Sequence, residues 1–276
     1  MMRREEKVAC LGPEGSYSEL AAKAMRPKSG ILLCEDFPSV FDALTSGEAD
    51  CAVVPIENTI QGGVLQNLDL LSMTEGVFET EEYLLPVDHR LATKGNISYD
   101  RIERVCSHEQ ALAQCSEFLQ QYLPHAKKIP TASTAESLSL LDDRTAGIVG
   151  SHLSGGDLVL SAENIANEKN NFTRFMLLER RTELPACSSM VFFCAVCEHK
   201  PGALLNLLKI FSEFNLTRIE SRPIRGAVGE YRFFIEFAGD VGEERVRRVL
   251  DEAKKICRQF RVLGAYTETP AARQKE

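Results

Sequence analysis

The sequence predicts an α/β fold in two parts: strand and helix units around a mostly parallel sheet, followed by a compact ferredoxin-like βαββαβ unit. Short apolar runs alternate with helical patterns through the first two-thirds of the chain. The pattern changes character after a proline-containing stretch at 180–189, which reads as a linker. Beyond it the order is strand, helix, strand, strand, helix, strand. In the first part, strands are expected at 8–11, 31–35, 51–56, 104–106, 128–130 and 146–149, each before a polar or Gly-containing turn and then a helix. In the second part, strands are expected at 190–197, 216–222, 231–237 and 261–266, with helices at 204–214 and 243–259. A polar tail from Glu268 is expected to fray.

The bulk properties bound the function. With 276 residues, 44% hydrophobic and 26% charged, the chain has the composition of a soluble globular protein long enough for two domains. A net charge of -8 argues against nucleic acid or an anionic membrane surface as partner, so an anionic ligand must be held locally. The charged start, Met1 to Lys7, runs into a short apolar strand without a signal-peptide core, and no run is long enough to span a bilayer, so a cytoplasmic protein is expected. The nine Cys residues lack a disulfide spacing, and reduced buried thiols are the expectation. Cys194 and Cys197 form C-x-x-C on a strand, where positions three apart face opposite ways and cannot share a metal.

Ligands of such sheets gather at the carboxyl ends of strands, which directs attention to four turns. Gly12-Pro13-Glu14-Gly15-Ser16-Tyr17-Ser18 follows the first strand and opens a helix. It could cradle a carboxylate, or be a tight turn with Ser16 or Ser18 as an ordinary N-cap. Pro55-Ile56-Glu57-Asn58-Thr59-Ile60-Gln61-Gly62-Gly63 places polar side chains directly after a buried strand, where Glu57 and Asn58 need a partner or ligand to offset desolvation. Ser107-His108-Glu109-Gln110 repeats that arrangement, with Gln114 one helical turn beyond Gln110; His108 could be an acid or base, or a hydrogen-bonded histidine near a helix start. His89, His125 and His152 show no convergent partners, and surface or capping roles are expected. Asn170-Asn171-Phe172-Thr173-Arg174-Phe175 enters an apolar run, so in a strand Thr173 and Phe175 share one face. No nucleophilic triad, P-loop or dinucleotide fingerprint is present.

Taken together and in order, the Gly12–Ser18 turn, Pro55-Ile56-Glu57-Asn58 and Thr173-Arg174-Phe175 resemble the signatures of the prephenate dehydratase family. Gly202-Ala203-Leu204-Leu205 and Glu220-Ser221-Arg222-Pro223 resemble the two effector motifs of that family's ACT domain. The resemblance runs from Lys7 to Tyr266. It implies a catalytic domain over 7–182, built of two α/β lobes similar to type II periplasmic binding proteins, and an ACT domain over 190–267. Catalysis would fall to Thr173, Glu57, Asn58, Ser107 and Gln114, with Gly15, Ser16, Tyr17, Ser18, Thr59, Arg174 and Phe175 around the substrate. Thr59 stands where the family usually has Ser, and Ser16 where it often has Thr; both swaps keep a hydroxyl.

The implied reaction turns prephenate into phenylpyruvate, carbon dioxide and water, without a cofactor or metal. Aromatisation drives it, and the hard step is departure of hydroxide, which needs a proton or strong hydrogen bond. Thr173 is expected to donate that bond. Arg174 could anchor a carboxylate, but strand alternation turns it away from Thr173 and favours a structural ion pair. In the ACT domain, Gly202 lets a ligand approach the helix start and Glu220 could meet an ammonium, which suits L-phenylalanine as effector between the domains of a homodimer or dimer of dimers. A stand-alone enzyme is expected, since the motifs leave no room for a chorismate mutase domain. Two rivals stay open: a non-catalytic amino-acid sensor, against which the intact Thr173-Arg174-Phe175 segment argues, and a dehydratase preferring arogenate.

Overall fold

The structure, a computed structural model, describes residues 6–153, 155–224 and 226–267. The expected tail from Glu268 lies outside them. The first lobe begins with β1 (Lys7–Leu11), α1 (Tyr17–Met25), β2 (Gly30–Cys34), α2 (Phe37–Ser46), β3 (Cys51–Asn58), β4 (Gly62–Gly63), α3 (Leu65–Met73) and β5 (Val77–Pro86). A second lobe follows with β6 (Arg90–Lys94), β7 (Arg104–His108), α4 (Glu109–Gln114), α5 (Ser116–Tyr122), β8 (Lys127–Thr131), β9 (Thr145–Val149) and β10 (Leu158–Leu160). The chain then returns along β11 (Phe172–Arg180). It finishes with β12 (Met190–Cys197), α6 (Ala203–Ile210), β13 (Leu216–Pro223), β14 (Tyr231–Ala238), α7 (Glu244–Ile256) and β15 (Cys257–Thr267).

The fold class is the expected one: two α/β lobes and a C-terminal βαββαβ unit. The first sheet runs β13-β14-β12-β15-β5-β11-β3-β1-β2 with β4 on β3, and the second runs β10-β6-β9-β7-β8. Neither is mostly parallel, which corrects the sequence reading. β1 is parallel to β2 and β3, but β11 is antiparallel to both β3 and β5. The chain leaves the first lobe along β5, builds the second, and comes back the opposite way. The two crossing segments are tied where Val87 N–H donates to the Asn171 carbonyl at 2.8 Å. The helices expected after β8 and β9 are also missing: a short 3-10 turn at Glu136–Leu140 follows β8, and β9 leads through turns to β10.

A further difference concerns the C-terminal unit, whose sheet is not separate. β15 pairs in parallel with β5, through Gly264 opposite Glu79 and Thr267 opposite Glu81. A side chain at Gly264 would put its Cβ 2.6 Å from that of Glu79, so the close approach requires glycine. Buried on both faces, β12 can be apolar throughout. Phe192 and Cys194 join the first-lobe core with Leu68, Leu71 and Met176, whereas Val191, Phe193 and Ala195 pack under α6 and α7 with Leu207, Phe211 and Leu250. Cys197 packs on the second of these cores, away from Cys194, as alternation predicts. No helix among the described residues is long and apolar enough to cross a membrane.

Candidate active site

Between the lobes lies a cleft of about 350 Å³. Its walls come from the strand ends and turns that close β1, β3, β7 and β8, the crossing segments, and the start of β11. The lining includes Ser16, Tyr17, Ser18, Asn58, Gln61, His89, His108, Gln110, Gln114, Ser133, Asn171, Thr173 and Phe175. No Asp, Glu, Lys or Arg among the described residues lines it. A shallower depression of about 640 Å³, bordered by Gln61, His108, Gln110 and Gln114, opens beside it.

At its floor, Asn58 and Thr173 are register partners across β3 and β11. Asn58 is 8% exposed, and its Oδ1 accepts from the backbone N–H groups of Ile60 at 3.0 Å and Gln61 at 3.1 Å. That turn fixes which way the amide points. Nδ2 therefore faces β11, donating to Asn171 Oδ1 at 2.8 Å and to Thr173 Oγ1 at 3.0 Å. An amide nitrogen only donates, so the Thr173 oxygen is the acceptor. The threonine proton has no acceptor among the described residues and is left for a group in the cleft.

The first turn is built as an N-cap. Ser16 Oγ donates to the Leu11 carbonyl at 2.9 Å and accepts from Glu19 N–H at 3.2 Å, so its hydroxyl is committed although it lines the wall. Gly15 carries φ +79°, and a Cβ there would meet Leu153 of the second lobe at 2.8 Å. Gly15 itself is outside the lining. Its carbonyl meets His152 Nε2 at 2.9 Å, and the Tyr17 hydroxyl donates to the Asp88 carbonyl at 2.5 Å, so this turn bridges the lobes. Burial pushes the Tyr17 phenol well above its ordinary value. His152 thus has partners that the sequence did not reveal.

Gln114 reaches the cleft, and its Oε1 lies 2.8 Å from Nε2 of His89. His89 is the functional candidate that sequence reasoning missed. It is 3% exposed, on the crossing segment after β5, and burial holds its imidazole below the ordinary value despite the Gln114 bond. His89 Nδ1 and Gln114 Nε2 are both buried without a partner among the described residues, a pair of polar atoms suited to a ligand. No local pattern announces this pair, since its members sit 25 residues apart on different elements.

Several expected residues lie elsewhere. Ser107 is fully buried, and its Oγ donates to the Ile148 carbonyl at 2.7 Å, which ties β7 to β9 outside the cleft. Thr59 is outside it too, where its Oγ1 accepts from Phe172 N–H at 2.9 Å and pins the start of β11. Glu57 and Arg174 turn to the opposite face of the strands, joined at 3.1 Å. For Glu57 this overturns the expected place in the cleft, because β3 extends through Asn58 and adjacent strand residues face opposite ways. For Arg174 alternation had favoured an ion pair, and that is what forms.

In the C-terminal unit, Gly202 takes φ +79° ahead of α6, and Leu205 is half exposed. β13, which carries Glu220, Ser221, Arg222 and Pro223, is the outer edge of the sheet. Its inner face looks toward the first lobe: Arg222 pairs with Asp69 at 2.5 Å, and Glu220 Oε2 lies 3.7 Å from where a Cβ on Gly63 would stand. A pocket beside α6 includes Ala203 and Leu204 and none of the residues from Glu220 to Pro223.

The prephenate dehydratase family pattern matches residues 8–183. A prephenate dehydratase of Amycolatopsis methanolica is 32% identical over 290 residues, spanning 98% of this chain and 94% of that protein. The chloroplastic arogenate dehydratase 4 of Arabidopsis thaliana is 34% identical over 287 residues, spanning 94% of this chain and 67% of that one. The structure of prephenate dehydratase from Arthrobacter aurescens in complex with L-Phe matches with a TM-score of 0.85 at 31% identity, covering 98% of this chain and 92% of that chain. With the family pattern matched over 8–183 and relatives of this similarity along nearly the whole chain, the chain belongs to the prephenate dehydratase family.

Proposed function

We propose that this enzyme converts prephenate to phenylpyruvate in the cleft, with the Thr173 hydroxyl donating to the departing ring hydroxyl. One observation carries the reading: the Asn58 amide, locked by its own turn, occupies the Thr173 oxygen as acceptor and leaves its proton for the substrate. As the ring carboxylate leaves as carbon dioxide, its bonding electrons enter the ring and the carbon–oxygen bond to the hydroxyl breaks. The hydroxyl leaves as hydroxide held by the Thr173 hydrogen bond and takes up a proton from solvent to become water. Threonine is a weak acid, so the effect rests on a fixed donor in a confined site rather than on its pKa.

Ser16, Tyr17, Ser18, Gln114 and Phe175 border the same space and complete the proposed substrate site. Substrate carboxylates are held there by hydroxyl, amide and backbone donors, without a formal cation. The catalytic domain spans 7–182 and the effector domain 190–267, and the protein works in the cytoplasm. L-phenylalanine is the effector. The pocket beside α6 takes in residues of only one of its two proposed motifs, and β13 is the edge of its sheet among the described residues, so the effector is bound between two copies of this chain in a homodimer or dimer of dimers. The test is an assay of purified protein with prephenate and, in parallel, arogenate, with and without phenylalanine. Phenylpyruvate and carbon dioxide are expected in equal amounts at a rate that phenylalanine changes. Turnover of neither substrate would overturn the reading, and turnover of arogenate alone would move it to the amino-acid analogue.

A further inference from the structure

Asn58 and Thr173 face each other across β3 and β11, and so do their chain neighbours Glu57 and Arg174 on the opposite face. That backing pair is gripped by the C-terminal unit. Arg174 Nη1 donates to Glu57 at 3.1 Å and Nε to Glu82 of β5 at 3.1 Å. Nη2 donates to Glu236 of β14 at 3.1 Å and to the Tyr266 hydroxyl of β15 at 3.1 Å. Glu236 is 1% exposed and accepts a further bond from Thr217 Oγ1 at 2.9 Å. Arg218 of β13 stands 3.5 Å from Glu57 and donates to the Ile56 carbonyl at 3.4 Å. One guanidinium thus ties the back of the Thr173 strand to four others besides its own: β3, β5, β14 and β15.

We propose that Glu236, acting through Arg174, is a positioning residue for Thr173, so that the C-terminal unit sets the geometry of the catalytic hydrogen bond. This rests on the catalytic reading of Thr173. Thr173 is in register with Asn58 and Leu85, but just beyond it the ladder is irregular, for β11 shifts register against β3 between Arg174 and Phe175. Such an irregularity re-aims neighbouring side chains. At that irregularity Arg174 adds its own constraint, since its planar, multiply bonded fork tolerates little rotation. Glu236 and Tyr266 supply the contacts from outside the catalytic lobes, and Glu236 is the charged one.

The test is a double-mutant cycle on the full chain. Glu236→Gln keeps the shape and removes the charge; it is expected to lower kcat about tenfold with KM within about twofold. In a Thr173→Ala background, the same change is expected to alter kcat by less than about twofold, since no hydroxyl remains to be aimed. Equal losses in both backgrounds, or an unchanged kcat for Glu236→Gln, would overturn the proposal. Undiminished turnover in Thr173→Ala alone would overturn the catalytic reading and the proposal with it. Should Glu236→Gln fail to fold, Thr217→Val removes only the supporting bond: a loss of about threefold that depends on Thr173 supports the proposal, and no loss overturns it.

Discussion

The two faces of the paired strands β3 and β11 differ sharply. Toward the cleft stand Asn58 and Thr173, neutral and joined by one hydrogen bond; one residue along each strand, and on the far side, stand Glu57 and Arg174 in a buried cluster with Glu82, Glu236, Tyr266 and Arg218. The cleft face leaves a donor unspent, whereas on the other face every nitrogen of the Arg174 guanidinium is bonded. A group that must bond a passing substrate has to be under-used by the protein, and a group that holds a strand in place does not. Adjacent residues can therefore do opposite jobs.

The largest effect is expected on the cleft face. Thr173→Ala should cut turnover by about two orders of magnitude, as loss of one aimed donor commonly does. The assay is steady-state phenylpyruvate formation by a variant with wild-type Tm, and a rate near wild type would erase the contrast. On the far face the expected cost is to stability. Arg174→Met leaves three carboxylates without their shared cation and should lower the unfolding free energy by about 3 kcal/mol, measured by urea denaturation. Wild-type resistance to urea would mean that the cluster is well solvated.

The smallest and most specific effect concerns Glu79, at the edge of that cluster. It is fully buried with neither oxygen bonded among the described residues, and burial, reinforced by Glu236, raises its carboxyl well above the ordinary value. A raised folded value means that the unfolded chain loses this proton first. The native state is thus penalised as pH rises through the ordinary carboxyl range, and carries no penalty below it. Glu79→Gln should raise Tm at pH 7, with the gain vanishing below about pH 4. A gain that persists in acid would point to packing rather than charge.

Much of the architecture could be read locally. The βαββαβ order over 190–267 and the bounds of β12 follow from periodicity, because a strand buried on both faces is continuously apolar and an amphipathic helix repeats every three to four residues. α7 is shorter than expected because β15 starts at Cys257 without an intervening turn. β5 escaped notice because its charged residues, Glu79, Glu81 and Glu82, break the apolar run; Arg26 pairs Glu81 and Arg174 pairs Glu82, while Glu79 is buried at a cost. At the cleft, alternation was enough to turn Arg174 away. It would have turned Glu57 away too had the strand been carried through Asn58.

From the sequence by itself came the elements of the C-terminal unit, the strand-end turns where a ligand would sit, and the motifs of the family, all written in residue type and spacing along the chain. Only the tertiary structure decided that β15 fuses the C-terminal unit to β5, that His89 meets Gln114, and that Glu57 belongs to the cluster rather than the cleft. The reason is that spacing encodes which face a residue presents, while the partner on that face is chosen by elements distant in the chain, 25 residues apart for His89 and Gln114 and 117 for Glu57 and Arg174.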